Sequence, residues 1–183
     1  MDIYQEDSFR DLFKLYNRKV FNIVLNMVQN HEDAEEVTQE VFIEVFYSRA
    51  RFRGQSDLFT WIYRLAVNKS LDFLKAKKRK KRFALFTQLF HPNTGEPLPE
   101  LSHFDHPGVL SENKEDSRIL FNAINQLPEN QKTAFVLSKI EGLPQKEIAQ
   151  IMAISEKATE SLIRRAKENL RNFLKNHYPN RGI

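Results

Sequence analysis

The sequence predicts an all-α protein: two small helical domains, an N-terminal helical bundle and a C-terminal helix-turn-helix, joined by a flexible acidic linker. Three observations lead there. Apolar residues recur at helical spacing on both sides of a central stretch, nothing reads as a strand, and four of the seven prolines crowd into that stretch.

The first helix is written in Phe9, Leu12, Phe13, Tyr16, Val20, Phe21, Val24 and Val28, which share one face, and it ends near Asn30. Asn30 or His31 opens a second helix, with Glu32, Asp33, Glu35 and Glu36 near the positive end of its dipole and Val37, Val41, Phe42, Val45 and Phe46 as its buried stripe. RFRGQSD, Arg51 to Asp57, is a break: Gly54 turns the chain and Ser56 or Asp57 caps a long third helix. The domain so formed spans residues 1–82. From Phe83 to Glu115 the periodicity fades, and Pro92, Pro97, Pro99 and Pro107 make a long helix improbable, so 83–115 is read as the linker. Its apolar residues, among them Phe86, Leu89, Phe90 and Phe104, suit docking of part of it on a partner or on its own domains. Helical pattern resumes at Asp116 with Ile119, Leu120, Ala123, Ile124 and Leu127, and residues 116–183 hold further helices separated at Pro128, at Gly142-Leu143-Pro144 and at Ala153-Ile154-Ser155.

Charge follows this division. The net charge is +4 over 1–82, −4 over 83–115 and +4 over 116–183. Two basic lobes joined by an acidic strap suit two contacts with a polyanion and a connector that stays off it or imitates it. No cysteine occurs, which excludes disulfides and thiolate metal sites. No apolar run approaches the roughly 20 residues of a membrane span, and MDIYQEDSF lacks the regions of a signal peptide. A soluble, cytoplasmic protein without membrane insertion is expected.

Two constellations carry function. In SDLFTWIYRLAVNKSLDFLKAKKRKKR, aromatic and apolar residues at helical spacing run into a block of lysines and arginines, offering stacking surface at one end of a helix and phosphate-neutralising charge at the other. Taken alone, an ordinary amphipathic helix with a basic end reads the same way. PQKEIAQIMAISEKATESLIRRAKENL has the grammar of a helix-turn-helix, with small Ala149 where two helices cross and Ser155 as the cap of the second. Thr159, Leu162, Ile163, Ala166, Leu170 and Phe173 face inward on it, while Glu160, Ser161, Arg164, Arg165 and Glu168 face out. Arginines and a carboxylate on such a face suit major-groove reading, where Arg favours guanine and Glu accepts from cytosine.

Over nearly its whole length the chain resembles the sigma-70 family of bacterial RNA polymerase specificity subunits, in particular the small extracytoplasmic-function (ECF) group. The strings DAEEVTQEVF and TWIYRLAVN, in that order and separation, carry the resemblance in the first domain. INQLPENQKTAFVLSKIEGLPQKEIAQIMAISEKATESLIRRAKENL carries it in the second.

The resemblance implies a transcription initiation factor with core RNA polymerase and promoter DNA as partners. Asp33, Glu36, Gln39, Glu40 and Glu44 are the polar positions implied to dock on the clamp helices of the polymerase largest subunit, with the flap as a further contact. Arg53, Gln55, Ser56, Asp57 and Thr60 fall in or beside the loop that receives a flipped base of the minus-ten element. Trp61, Tyr63, Arg64, Asn68 and Lys69 follow on the helix that supports or contacts the melted strand, although Trp61 equally suits a core position. Stacking and amide hydrogen bonds in such a loop offset the few kcal/mol of unstacking, so strand opening needs binding energy and no chemical step. Lys75, Lys77, Lys78, Arg79, Lys80, Lys81 and Arg82 are implied to meet duplex phosphate, contributing affinity and salt dependence but little sequence choice. Lys157, Glu160, Ser161, Arg164 and Arg165 are implied to read the minus-thirty-five element. Many family members carry roughly GTVKSRLxRAR there; this chain has Glu160 and Leu162 instead of a usual base and a usual arginine, so its target sequence is not transferable from relatives. The family is often held inactive by an anti-sigma protein, a further partner consistent with the exposed apolar linker.

The competing class is an autonomous helix-turn-helix operator-binding regulator, which has no need of DAEEVTQEVF or of a base-capturing loop. His91, His103 and His106 in the linker lack regular ligand spacing, and no phosphate-binding glycine loop or nucleophile motif occurs; catalysis, metal and cofactor are all expected to be absent.

Overall fold

A computed structural model describes residues 6–49, 52, 57–90 and 114–177. Its helices are α1 (Glu6–Val28), α2 (His31–Ser48), α3 (Leu58–Phe90), α4 (Lys114–Asn125), α5 (Glu129–Phe135), α6 (Gln145–Met152) and α7 (Glu156–His177), with a turn of π-helix over Val136–Ile140. No strand occurs among the described residues.

The first three helices form a bundle because each carries one apolar stripe. Leu12, Val20, Ile23 and Val24 of α1 meet Ala34, Val37, Val41, Phe42 and Val45 of α2 and Ile62, Tyr63, Ala66 and Val67 of α3 in one core. The α1–α2 corner is closed by Asn30, whose side chain accepts from the Asp33 N–H at 2.8 Å. This satisfies one of the helix's orphan donors and leaves Glu32 and Asp33 at the positive end of the dipole. Helix α3 begins with its ladder bond from Trp61 N–H to the Asp57 carbonyl at 3.1 Å, so Asp57 stands at the capping position; Ser56 lies outside the described residues.

Helix α3 does not stop at Arg82. It runs on to Phe90, through the first eight residues of the expected linker. Phe83 to Phe90 contains no proline or glycine, and extending an existing helix needs only one favourable residue at a time, so the loss of a clean apolar face did not end it. Helix α4 likewise starts at Lys114, two residues ahead of the expected Asp116. Linker residues 91–113, with the four prolines, lie outside the described residues.

The C-terminal helices pack around Ala123, Ile124, Leu127, Val136, Ala166 and Leu170. The sequence pattern alone did not reveal the π turn. There the Glu141 N–H bonds the Val136 carbonyl at 3.0 Å, one residue further back than an α-helix would take it. The inserted residue swings Glu141 toward α1, and Gly142, at φ 69°, then reverses the chain.

The two helical units are packed against each other. Leu137, Ile148 and Ile151 from the second unit are buried in the core of the first, and Met27 of α1 is buried in the core of the second. Each fully buried aliphatic side chain is worth about 1.5–3 kcal/mol relative to exposure, against about 1 kcal/mol for a typical hydrogen bond. Apolar packing therefore supplies most of the cohesion, and polar contacts fix the register. At the seam Lys132 Nζ donates to the Met27 carbonyl and to Asn125 Oδ1, both at 2.6 Å. Asn125 Nδ2 donates to Gln29 Oε1, and Asn26 Nδ2 to Glu141 Oε1 at 3.0 Å. The Met27 carbonyl is one of the last four of α1, which lack partners inside the helix, so a lysine from the other unit caps α1 at its negative end.

Burial lowers the Lys132 amine to about 8, with the Lys78 charge acting in the same direction and Glu129 against it. Unfolding restores an ordinary lysine near 10.5, so between about pH 8 and 10.5 the unfolded chain binds the extra proton. This residue's contribution to stability therefore rises with pH through that window and is flat below it. Urea unfolding at pH 7 and pH 9.5 checks this: the gain between the two pH values is expected to be larger in the native chain than in Lys132→Met, and equal gains in both would contradict it.

Candidate nucleic-acid and polymerase interface

One face of α3 is committed to the bundle, part of the other meets α6, and the rest faces solvent. At 100° per residue, Asp57, Trp61, Arg64 and Asn68 share a face. Asp57 and Asn68 are exposed there, and Trp61 and Arg64 are partly exposed. Thr60 and Tyr63 point the other way. Thr60 is 2% and Tyr63 3% exposed, so in this arrangement neither side chain is placed to touch a strand. Burial, helped by the Glu141 charge, raises the Tyr63 phenol above its ordinary value, as expected of a core tyrosine. Trp61 combines the two readings open to it: it packs against the bundle core and leans on Phe52, ring centres 5.0 Å apart, while keeping part of its surface free. Arg53, Gln55 and Ser56, the centre of the expected base-receiving loop, lie outside the described residues.

Arg64 is held in an unexpected way. Its guanidinium donates to the Gln150 carbonyl of α6, and its Nε is buried without a hydrogen-bond partner. Lys69 lies 3.9 Å from Glu44. Further along α3, Lys75 pairs with Asp72 at 3.5 Å, Lys77 with Asp33 at 2.5 Å and Lys78 with Glu129 of α5 at 2.9 Å. Arg79, Lys80, Lys81 and Arg82 are exposed and complete a cationic run along the helix.

On α2, Glu36, Gln39 and Glu40 are exposed and lie on the face opposite Val37 and Val41. Asp33 and Glu44, at the ends of the same face, are partly covered by their lysine partners. Ile43 is 57% and Tyr47 74% exposed beside them. These two apolar residues were absent from the sequence reading of this surface, and the signal for them was present: both fall outside the buried α2 stripe, on the side of Glu36 and Glu40. A groove of about 490 Å³ between α1 and α2, lined by Phe13, Asn17, Phe21, His31, Glu35, Thr38 and Gln39, borders this face.

The second unit holds a helix-turn-helix made by local rules. At the end of α6 the Ile154 N–H bonds the Ala149 carbonyl at 3.0 Å and the Ala153 N–H the Gln150 carbonyl at 3.3 Å, with Ala153 in the left-handed region at φ 54°. This is a Schellman stop, usually built on glycine. Ser155 then caps α7, its Oγ accepting from the Ala158 N–H at 3.2 Å, and Gln145 Nε2 ties α6 to the Glu156 carbonyl at 2.7 Å. Thr159, Ala166 and Leu170 are buried beneath α7, whereas Lys157, Glu160, Arg164 and Arg165 are exposed and Ser161 is half-buried. The five form one outward surface on the first three turns.

Among the described residues, no three histidine, aspartate or glutamate side chains are grouped to hold a metal ion, and no helix is long and apolar enough to cross a membrane. His91, His103 and His106 lie outside the described residues.

The two units correspond to two family models. Residues 12–80 match Sigma-70 region 2, and residues 117–170 match Sigma-70, region 4. The chain is 34% identical over 167 residues to the ECF RNA polymerase sigma-E factor of Haemophilus influenzae, covering 90% of this chain and 86% of that one. It is 33% identical over 169 residues to the sigma-E factor of Escherichia coli K12, covering 91% and 86%. This chain belongs to the sigma-70 family of RNA polymerase sigma factors, in its ECF group. Its fold is also that of the sigma factor RpoE of Bartonella quintana, solved in complex with the anti-sigma factor NepR, with TM-score 0.68 at 18% identity over 91% of this chain and 96% of that one. CnrH, solved with the cytosolic domain of CnrY, gives 0.65 at 18% identity over 94% and 91%.

The turn of the helix-turn-helix can be tested by itself. Ser155→Ala removes the α7 cap and is expected to cost about 1 kcal/mol. Ala153→Gly relieves a left-handed Cβ worth about 1–2 kcal/mol, less the added freedom of the unfolded chain, and is expected to stabilise slightly. Chemical unfolding of both variants checks the pair, and a destabilised Ala153→Gly would contradict this description of the turn.

Proposed function

We propose that the chain works as a dissociable initiation factor: it binds core RNA polymerase, supports opening of the minus-ten element with the outer face of α3, and reads the minus-thirty-five element with α7. The observation that carries this is a division of surfaces within one chain. An acidic and apolar face on α2, an aromatic-to-cationic face on α3 and an exposed arginine-bearing face on α7 are borne on two units whose sequences match sigma-70 regions 2 and 4.

Each surface supports one role. Glu36, Gln39 and Glu40, with Ile43 and Tyr47, offer a charged rim around apolar area, the composition of a protein-docking surface, and are assigned to the polymerase clamp helices. Asp33 and Glu44 are assigned to the same surface once their lysine partners are displaced, and the flap is assigned as the second polymerase contact. Trp61, Arg64, Asn68 and Lys69, with Arg53, Gln55, Ser56 and Asp57 from the preceding loop, are assigned to the melted strand; stacking on an aromatic is worth about 1–3 kcal/mol per base, enough to offset unstacking. Thr60 is assigned a supporting position under that face, in keeping with its burial. The run from Lys75 to Arg82 is assigned to upstream phosphates. Lys157, Glu160, Ser161, Arg164 and Arg165 are assigned to base edges in the major groove.

No chemical step is assigned to the chain, and none is needed: binding energy spent on the open strand drives melting. The reading places it in the cytoplasm with the polymerase, and an anti-sigma protein is the expected regulatory partner, as NepR is for its structural neighbour.

Promoter contacts separate cleanly by variant. With holoenzyme on its promoter, Arg164→Ala or Arg165→Ala is expected to weaken binding by about 1–3 kcal/mol for a bidentate guanine contact and to relax preference at one position. Lys80→Ala with Lys81→Ala is expected to weaken all promoters alike and to lower the salt slope by about 2, at roughly 0.9 per phosphate. Glu36→Lys with Glu40→Lys is expected to abolish co-purification of core polymerase while helicity is retained. Undiminished polymerase in that variant would remove α2 from the contact.

A further inference from the structure

Helix α2 and the far half of α3 carry opposite charge, and each is unmixed. Helix α2 holds Glu32, Asp33, Glu35, Glu36, Glu40 and Glu44 and no lysine or arginine. Past Asp72, α3 holds no aspartate or glutamate, and its cations crowd between Lys75 and Arg82. A solvated helix face ordinarily interleaves the two signs, so that neighbours one turn apart pair with each other. An unmixed face keeps its charge for something outside its own helix.

Part of the match is made within the chain. Helices α2 and α3 lie antiparallel, with Lys69 3.9 Å from Glu44 toward one end and Lys77 paired to Asp33 toward the other. What remains is Glu32, Glu36 and Glu40 on α2 and the four cations from Arg79 to Arg82 on α3. All are exposed, and none makes an ion pair among the described residues.

Apolar surface follows each charged set. At 100° per residue Glu32, Glu36, Glu40, Ile43 and Tyr47 fall within about 80° of one another, and all five are exposed. Phe83, 71% exposed, directly follows Arg82. Both helices therefore present charge first and an exposed apolar group after it, in chain direction. Laid side by side in the same direction, the α3 end of one copy sets its cations over the carboxylates of another copy's α2 and brings Phe83 toward Ile43. Within one chain the two helices are antiparallel neighbours, so a two-fold axis perpendicular to them supplies that parallel arrangement and makes the contact twice. The interface is then closed and self-complementary.

We infer that the free chain associates with a second copy of itself as a two-fold dimer, the acidic α2 face of each copy taking the cationic α3 end of the other. The contact withdraws from use the two surfaces assigned above to polymerase and to phosphate. That consequence rests on the sigma-factor reading, whereas the association itself does not.

Sedimentation velocity of the full chain reads the association directly. At about 50 μM, a concentration suited to a small and weak interface, the native chain is expected to run as a dimer in about 0.05 M salt and as a monomer in about 0.5 M, where screening is far stronger. Glu36→Lys with Glu40→Lys is expected to be monomeric in both, and so is Lys80→Glu with Lys81→Glu. Mixed in equal amounts at low salt, these two variants are expected to dimerise with each other. The reversed α2 of one then meets the reversed α3 of the other, and their native patches still match. A native chain that stays monomeric at low salt, a variant that dimerises alone, or a mixture that stays monomeric at native helicity overturns the inference. Should a reversed variant lose helicity, Glu36→Gln with Glu40→Gln keeps the test: dimerisation about tenfold weaker is expected, and an unchanged dimer overturns it. Because polymerase takes no part in these measurements, their failure leaves the sigma-factor reading standing.

Discussion

The structure depends on α3 being one unbroken helix with two opposite faces. Ile62, Ala66 and Val67 on its inner face join α1 and α2 into a bundle, and the continuity of the backbone then fixes everything on the outer face at 1.5 Å and 100° per residue. Asp57, Trp61, Arg64 and Asn68 are thereby laid out along one line, and the cationic run from Lys75 to Arg82 winds around the helix beyond them. Core packing and ligand layout are set by the same helical period. A substitution that bends α3 would misplace the whole row even if each side chain survived, and the absence of proline and glycine between Leu58 and Phe90 is what prevents that.

The second unit is organised differently, by caps and stops. Short helices such as α5 and α6 gain little from their own propagation and are positioned by terminal chemistry: the Schellman stop at Ala153, the Ser155 cap, and the π turn that ends at Ile140. Each of these redirects the chain by a fixed angle. Together they set α7 so that Thr159 and Ala166 point down and Arg164 and Arg165 point out. The π turn has a second consequence, because the residue it inserts delivers Glu141 to Asn26 and so links the local geometry of one unit to its contact with the other.

The all-helical class, most helix boundaries and the inward and outward positions of α7 were legible in the sequence, because they follow from period and capping, which are local properties. Three features were not. The extension of α3 through Phe83 was missed because the end of amphipathicity was read as the end of the helix, whereas propagation needs only the absence of a breaker. Thr60 was read as a strand contact from its place in a motif, yet its phase on the helix turns it inward. The seam was invisible because Lys132, Asn125 and Gln29 are each unremarkable in sequence, and only tertiary packing brings a lysine to the end of a helix about 100 residues away. Ile43 and Tyr47 were within reach, since a helical wheel of α2 shows them outside the buried stripe.

The central claim is that this chain gives core polymerase a choice of promoter that the core alone lacks. The most direct measurement is transcription of fragmented host DNA by purified core polymerase with and without the chain, followed by sequencing of RNA 5′ ends. The account predicts start sites that appear only when the chain is present and that share two sequence elements at a constant separation, one for α3 and one for α7. Start sites identical in both reactions, with the chain bound to core, would contradict it.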